Sequence, residues 1–431
     1  MTYIQAIEYI KSCYSPSVKH GHDTLLAVLR ELGSPQEGLK IIHVAGTNGK
    51  GSSCAMLASV LKAAGYKTAL FTSPHLTSYN ERFQINGGAI SDESLAHYAS
   101  RVRAACAAAF GDADSRLSFF ELLTAMAFCW FHDERADYAV MEVGLGGELD
   151  PTNVIKKPLL SIITAVGLDH TELLGDTLGE IAAAKAGIIK KNCPALLYYQ
   201  SDLVYNVVKK EAALKRAELF CVKAETEIIG ESLGGTVFSA HSELFDYPRV
   251  ETPLLGGFQV YNAAGVLSAL HVLMKTGNAV IPEKAILSGI RKARWPGRFE
   301  IISQNPLFVA DGAHNMDGVA EFCRSARKYF AGREITVISG MMREKNCGGM
   351  INALAGLADN LIITKPSYGS RAAGPEALAA EITRVRKIFA ENDYKKAVGL
   401  ARRITPKNGV IACCGSLYLV GDVRKFVLKG E

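Results

Sequence analysis

The chain has 431 residues, 48% of them hydrophobic, which is enough for an ample core and, by length, for two or three domains. Its formal net charge of +5 suits small acidic ligands such as nucleotides, but the basic residues are scattered and form no run of the kind that tracks a nucleic acid. The ten cysteines include no C-x-x-C pair, so neither a zinc site nor a disulfide framework is indicated, and no apolar leader core or membrane-length apolar stretch is present; a soluble cytoplasmic protein is expected.

In chain order, TLLAVLREL (24–32) reads as a helix, and the apolar run KIIHV then leads into a glycine loop followed by a second helix, SSCAMLASVLKAAG. The alternation continues through KTALFT, a helix near 92–108, another over SFFELLTAMAFCWF, the strands DYAVMEV and LLSIITAV, and a helix around 181–188. Buried strands alternating with helices predict a mostly parallel sheet covered on both faces. Residues 225–258 change character, with Gly, Thr and Ser among short β-prone pieces such as TVFSA, and predict a small antiparallel excursion. Helices return at VYNAAGVLSALHVLMK and PEKAILSGI. The segment RKARWPGR then combines charge, Pro and Gly and reads as a linker. Beyond it, strands IISQ, LFVADG, EITVISG, NLIITK and GVIACCG alternate with helices EFCRSARKYF, EALAAEITRVRKIF and SLYLVGDVRKFVL. The expected fold is therefore α/β: a P-loop ATPase domain over 1–294 with a mostly parallel sheet, and a smaller Rossmann-like α/β domain over 298–431.

The glycine loop, HVAGTNGKGSS (43–53), departs from the common phosphate-binding pattern G-x-x-x-x-G-K-[ST]. Val44 stands where the first Gly belongs, and Gly51 separates Lys50 from the hydroxyl of Ser52. Even so, Gly46, Gly49 and Gly51 allow backbone to approach an anion, an exposed Lys50 suits β and γ phosphates, and Ser52 suits Mg²⁺. The bland alternative is an ordinary turn between strand and helix. Three further apolar strands end in donor atoms. MEVGLGGELDPTN places Glu142 at a strand's carboxyl end, where open parallel sheets bind ligands, although Glu142 serves equally as a cap of its glycine-rich turn. AVGLDHTELLG ends in Asp169 and His170, and SPHL brings Ser73; a lone His is more often structural than a ligand, so the convergence of these strand ends carries the argument. Lys185, in AAAKAGIIKK, has solvation as its default reading, and in VADGAHNMDG nucleotide contact and helix capping stand level for Asp311 and His314.

In order along the chain, GTNGKGS, SPHL with ERFQING, EVGLGGELDPTN, GLDHTELLG, AKAGIIK, YNAA, WPGRFE, DGAHN and GSLYLVGD together closely resemble folylpolyglutamate synthases and their bifunctional forms with dihydrofolate synthase, in the Mur ligase superfamily. The resemblance covers nearly the whole chain and makes the unusual loop the family's own version. It implies an ATP- and Mg²⁺-dependent ligase that joins L-glutamate to reduced folates, and to dihydropteroate, through an acyl phosphate, in a protein expected to be a monomer. By motif, Gly49, Lys50, Gly51 and Ser52 would bind the ATP phosphates, with Asn262, Arg298, Asp311 and His314 completing the nucleotide site. Ser73, Glu142 and His170 resemble Mg²⁺ ligands, with Ser52 on the metal bridging the phosphates. Lys50, His170 and Lys185 carry the catalytic assignments, and Lys185 matches the family lysine that CO₂ converts to a carbamate. Phe119, Phe120, Glu121, Leu149 and Asp150 lie in segments resembling the pterin-binding region.

Three positions depart from the family pattern: Glu148 stands for the usual Arg, Ala184 for Glu, and Met316 for Pro. None touches the metal set, but Glu148 reverses a charge beside the pterin side. Two other readings compete. A peptidoglycan-precursor ligase of the same superfamily needs a UDP-binding domain ahead of the loop, and here the loop begins at Gly46. A nucleotide-regulated binding module would differ in not requiring both a pteroyl acid and glutamate for phosphate release.

Overall fold

The computed structural model describes residues 1–13, 21–111, 116–343, 347–367, 372–383 and 387–430. An eight-stranded sheet runs in the order Gly88–Ala89, Phe83–Ile85, Thr68–Phe71, Tyr138–Glu142, Ile41–Ala45, Leu160–Ile163, Ala195–Leu197, Leu219–Phe220. Its strands pair in parallel except for the Phe83–Ile85 and Gly88–Ala89 hairpin at one edge. Ile41–Ala45 is central and wholly buried, which explains why every residue of it but His43 is apolar. The two-residue period sends Ile42 and Val44 into a core with Val60, Leu70, Val140 and Val266, while Ile41 joins Ala69, Phe71, Phe128 and Met141 on the opposite face.

His43 shares that buried strand. Burial, reinforced by the charge of Lys190, lowers its imidazole to about 3. An unfolded His titrates near 6.5, so from there down to about 3 the unfolded chain binds a proton that the folded chain refuses, and stability falls as pH falls. Between about pH 7.5 and pH 5 this one group should cost about 2 kcal/mol. Urea titrations at the two pH values should show a smaller loss for His43→Gln than for the parent; equal losses would mean that the imidazole is not held neutral.

The expected antiparallel excursion is a three-stranded sheet, Glu225–Ser232, Gly235–His241 and Asp246–Thr252. Its Phe238, Ala240 and Val250 share a core with the long helix Gly257–Lys275. After helix Glu283–Lys292, the segment expected to be a linker does more than connect: Trp295 lies against the glycine loop, and a Cβ on Gly51 would come within 2.6 Å of its ring.

The second sheet has six strands in the order Glu300–Gln304, Leu307–Asp311, Val410–Cys414, Ile335–Ser339, Asn360–Ile363, Lys387–Ala390, of which only the first pairs antiparallel. The helix predicted over 376–389 is corrected here. Helix Pro375–Ala380 ends early and Lys387–Ala390 is an edge strand, with residues 384–386 lying outside the described residues. The segment's apolar spacing admits either element, and the open edge of Asn360–Ile363 decides for the strand by giving its backbone partners. Among the described residues five helices escape the sequence reading: Tyr3–Ser12, Thr171–Leu174, Asp202–Leu214, Cys347–Ala355 and Tyr394–Ile404. The helix expected at 181–188 runs instead over Leu178–Ala186, opened by a Thr177/Glu180 capping box and stopped at Gly187. No disulfide joins any of the ten cysteines, and no helix among the described residues is long and apolar enough to cross a membrane.

Candidate active site

A cleft of about 380 Å³ opens between the two sheets at the carboxyl ends of their strands, and the glycine loop, the strand-end donors and the DGAHN turn all line it. The loop's glycines are fixed by close approach. Gly49 caps helix Lys50–Ala63 at φ 88°, where a Cβ would strike the side chain of Asn262; a Cβ on Gly46 would strike Thr164. No side chain caps that helix's start by a hydrogen bond, and Lys50, Gly51 and Ser52 of its first turn line the cleft, the arrangement that receives phosphate.

Hydrogen bonds to residues 164–167 hold the loop besides its own lysine. The N–H groups of Thr47 and Asn48 donate to the Ala165 carbonyl, the Thr47 hydroxyl donates to the Gly167 carbonyl, and the Thr164 hydroxyl donates to the Asn48 carbonyl. Lys50 is half-buried, a correction to its expected exposure, and its Nζ donates to the carbonyls of Gly46 (2.9 Å) and Thr47 (3.1 Å). Lys185 departs further from expectation. It is only 3% exposed, and its Nζ donates to the same Gly46 carbonyl at 3.0 Å. Burial, then the neighbouring Lys50 charge, brings the Lys185 amine down to about 7. The sequence reading missed this because the Ala-rich helix shows no charge partner; only the fold brings residue 185 to the loop.

Around the lysines stand the strand-end groups. Glu142 is buried, accepts the Ser73 N–H at 3.0 Å, and has its carboxyl raised by burial against the opposing pull of Lys50. Ser52 is buried and its Oγ accepts from Gln259 Nε2 at 3.1 Å, while Gln259 Oε1 accepts from Asn262 Nδ2. Gln259 carried no sequence signal, since its helix pattern reads as core. His170 is exposed, in a left-handed conformation (φ 52°) at the start of the short helix Thr171–Leu174, and lines the cleft.

From the second sheet, Asp311 is buried and each of its oxygens accepts a backbone N–H at 2.8 Å, from Phe299 and from Ala313. Its carboxyl is raised by burial, opposed by Arg298. Helix capping, one of its two sequence readings, belongs instead to Asn315, which caps helix Met316–Tyr329. Asn315 also bridges the units, its Nδ2 donating to Asn48 Oδ1 and Asp169 Oδ2, both at 3.2 Å. The ring of His314 hydrogen-bonds through Nδ1 to the Gly312 carbonyl at 2.8 Å.

Comparison with known proteins adds the decisive observation. The Mur ligase middle domain matches residues 44–270, and the Mur ligase glutamate ligase domain matches 297–417. The dihydrofolate synthase/folylpolyglutamate synthase of Bacillus subtilis is 33% identical over 427 residues, covering 98% of each chain. The folylpolyglutamate synthase of Lacticaseibacillus casei is 33% identical over 434 residues, covering 100% of each. The chain belongs to the folylpolyglutamate synthase/dihydrofolate synthase family. A solved structure of Mycobacterium tuberculosis folylpolyglutamate synthase complexed with ADP superposes with a TM-score of 0.90 at 27% identity, covering 99% of this chain and 98% of that one.

As a member of this family the chain is an ATP-dependent ligase that adds glutamate to folates. Its proposed pterin-side residues do not line the cleft with the nucleotide-side groups; two of them adjoin it. A Cβ on the cleft residue Gly144 would come 2.6 Å from the Phe120 ring and 3.2 Å from Asp150 Oδ2. Phe119 packs instead against Tyr79 and beneath the Arg82 guanidinium, and Leu149 is 46% exposed. Glu121 closes the Ser118 capping box, accepting the Ser118 N–H at 2.7 Å, which gives it a structural duty. Two departures from the ligase pattern are neighbours: the Glu148 N–H donates to the Ala184 carbonyl at 2.9 Å. Met316 is the first residue of its helix and 38% exposed.

Proposed function

We propose that this ligase glutamylates dihydropteroate as well as reduced folates, within one catalytic unit formed by residues 1–294 and 298–431 of a single chain. The observation that carries the reading is the meeting of Lys50 and Lys185 at the Gly46 carbonyl, inside a cleft that Arg298, Asp311 and Asn315 close from the second sheet. In the proposed reaction the substrate carboxylate attacks the γ-phosphorus of ATP, the bond to the β-phosphate oxygen breaks, and ADP leaves an acyl phosphate. The amine of L-glutamate then adds to the acyl carbon, and the tetrahedral intermediate collapses with loss of phosphate and a proton. The chain's part is positioning and charge neutralisation: the helix N-terminus and Lys50 on the phosphates, Gly49, Gly51, Ser52 and Asn262 shaping their seat, and Arg298, Asp311 and His314 facing the nucleotide from across the cleft.

The donor set fits a hard cation. Among the described residues no three His, Cys, Asp or Glu side chains cluster to hold a metal by themselves, so Mg²⁺ would depend on the Glu142 carboxylate, the hydroxyls of Ser73 and Ser52, His170, and the nucleotide's own oxygens. Bound there, the ion would screen phosphate charge.

Parallel assays at saturating ATP and glutamate test the reading. Phosphate release is expected with dihydropteroate and with tetrahydrofolate, and with neither when glutamate is withheld. Turnover of tetrahydrofolate alone would confine the enzyme to polyglutamate synthesis.

A further inference from the structure

Behind Gly144 the structure holds a polar chain that the reaction as described does not use. His43, on the central strand, is fully buried, and its Nε2 lies 2.8 Å from Thr152 Oγ1. Thr152, also fully buried, donates that hydroxyl to Asp150 Oδ1, which accepts the Thr152 N–H as well at 3.0 Å. Asp150 Oδ2 accepts the Leu145 N–H at 2.9 Å. The far ring nitrogen, His43 Nδ1, is buried without a hydrogen-bond partner.

That orphan fixes the direction of the chain. If the proton sat on Nδ1, a buried N–H would go unsatisfied, and Thr152 would have to turn its hydroxyl to Nε2 and abandon the carboxylate. With the proton on Nε2, His43 donates to Thr152, Thr152 donates to Asp150, and only a lone pair is left bare. The chain then ends in a carboxylate held as an acceptor, with Oδ2 beside Gly144 and the Phe120 ring. Burial raises the Asp150 carboxyl, but the groups bonded to it, the Thr152 hydroxyl and N–H and the Leu145 N–H, all donate and hold it as an acceptor; what it favours is a ligand edge that donates N–H, flat enough to lie along an aromatic ring.

We propose that His43 and Thr152 are positioning residues for substrate recognition, aligning Asp150 as the acceptor for an N–H edge of the substrate's ring system at Gly144. This rests on the reading of Asp150 as a substrate-side residue. None of the three lines the cleft: Asp150 adjoins it behind Gly144, and His43 and Thr152 act through Asp150.

The test measures KM for tetrahydrofolate and dihydropteroate, KM for ATP, and kcat in Thr152→Val, Thr152→Ser and Asp150→Asn. Losing the hydroxyl should raise KM for the ring-bearing substrates about tenfold while KM for ATP holds, since one hydrogen bond to a charged group is removed. Thr152→Ser should restore KM, because it keeps the hydroxyl. If Thr152→Val is shown by thermal melting not to fold, His43→Gln against His43→Leu takes its place, Gln keeping a side-chain N–H and Leu none. Values of KM unchanged in Thr152→Val or His43→Leu, with Asp150→Asn impaired, would overturn the positioning role alone. An unimpaired Asp150→Asn would overturn the substrate-side reading and the role built on it. A uniform fall in kcat with KM unmoved would mark the chain as merely structural and overturn the proposal.

Discussion

Lys50→Ala should fold like the parent and lose ATP-dependent ligation by at least about 10³-fold, as expected when a cation aimed at phosphates is removed from an enclosed site. The expectation of an intact fold rests on what the loop keeps. Truncation deletes the two bonds from Nζ to the carbonyls of Gly46 and Thr47, but the bonds to Ala165, Gly167 and Thr164 remain, and so does the Lys185 donation to Gly46. It also relieves the burial that already lowers the Lys50 ammonium. Under the proposed reaction Lys50 exchanges these two carbonyls for phosphate oxygens, with which its bond is charge-assisted on both sides. Phosphate release in the presence of a folate and glutamate, alongside a thermal melt, checks both halves. Near-normal turnover would remove Lys50 from the phosphates, and a collapsed melt would make its role structural.

How much of this was legible beforehand depended on whether the signal was local. The glycine loop, Ser73, Glu142 and Asp169–His170 are each announced by an apolar run that stops, and the parallel sheet brings those stopping points to one edge of the fold. Burial of Lys185, by contrast, has no trace in its own helix; it follows from residue 185 facing residue 46 across the fold. Gln259 and Asn315 were hidden for the same reason, as their partners lie in Ser52 and Asn48, hundreds of residues away. His43 was hidden differently: quoted as the loop's first residue, it occupies an interior position of a strand whose other members are all apolar, and only the three-dimensional neighbour Thr152 gives it meaning. The misread helix at 376–389 shows the same limit, since an edge strand is defined by what lies beside it.

Lys185→Ala should lose most of the activity, on the order of 10²-fold or more, and Lys185→Arg should not recover it. Both expectations come from the proposal that CO₂ adds to this amine. Only a neutral amine reacts, and burial together with Lys50 brings Lys185 to about 7, where a large fraction is uncharged at neutral pH. The same Lys50 that disfavours a second ammonium favours an anion in its place, so carbamate formation turns a repulsion into an attraction. The hydrogen bond to the Gly46 carbonyl need not be lost, because a carbamate nitrogen keeps one N–H to donate. Arg fails on each count: its guanidinium stays charged, cannot take up CO₂, and would hold a second cation beside Lys50 at a buried position. A small carboxylate such as acetate, supplied to Lys185→Ala, should restore part of the rate by returning an anionic oxygen near the loop. Electron density at Lys185 in crystals grown without removing CO₂ is the direct measurement. An unmodified side chain still bonded to Gly46, together with an active Lys185→Arg enzyme, would reject the carbamate and leave Lys185 as a cation that braces the phosphate loop.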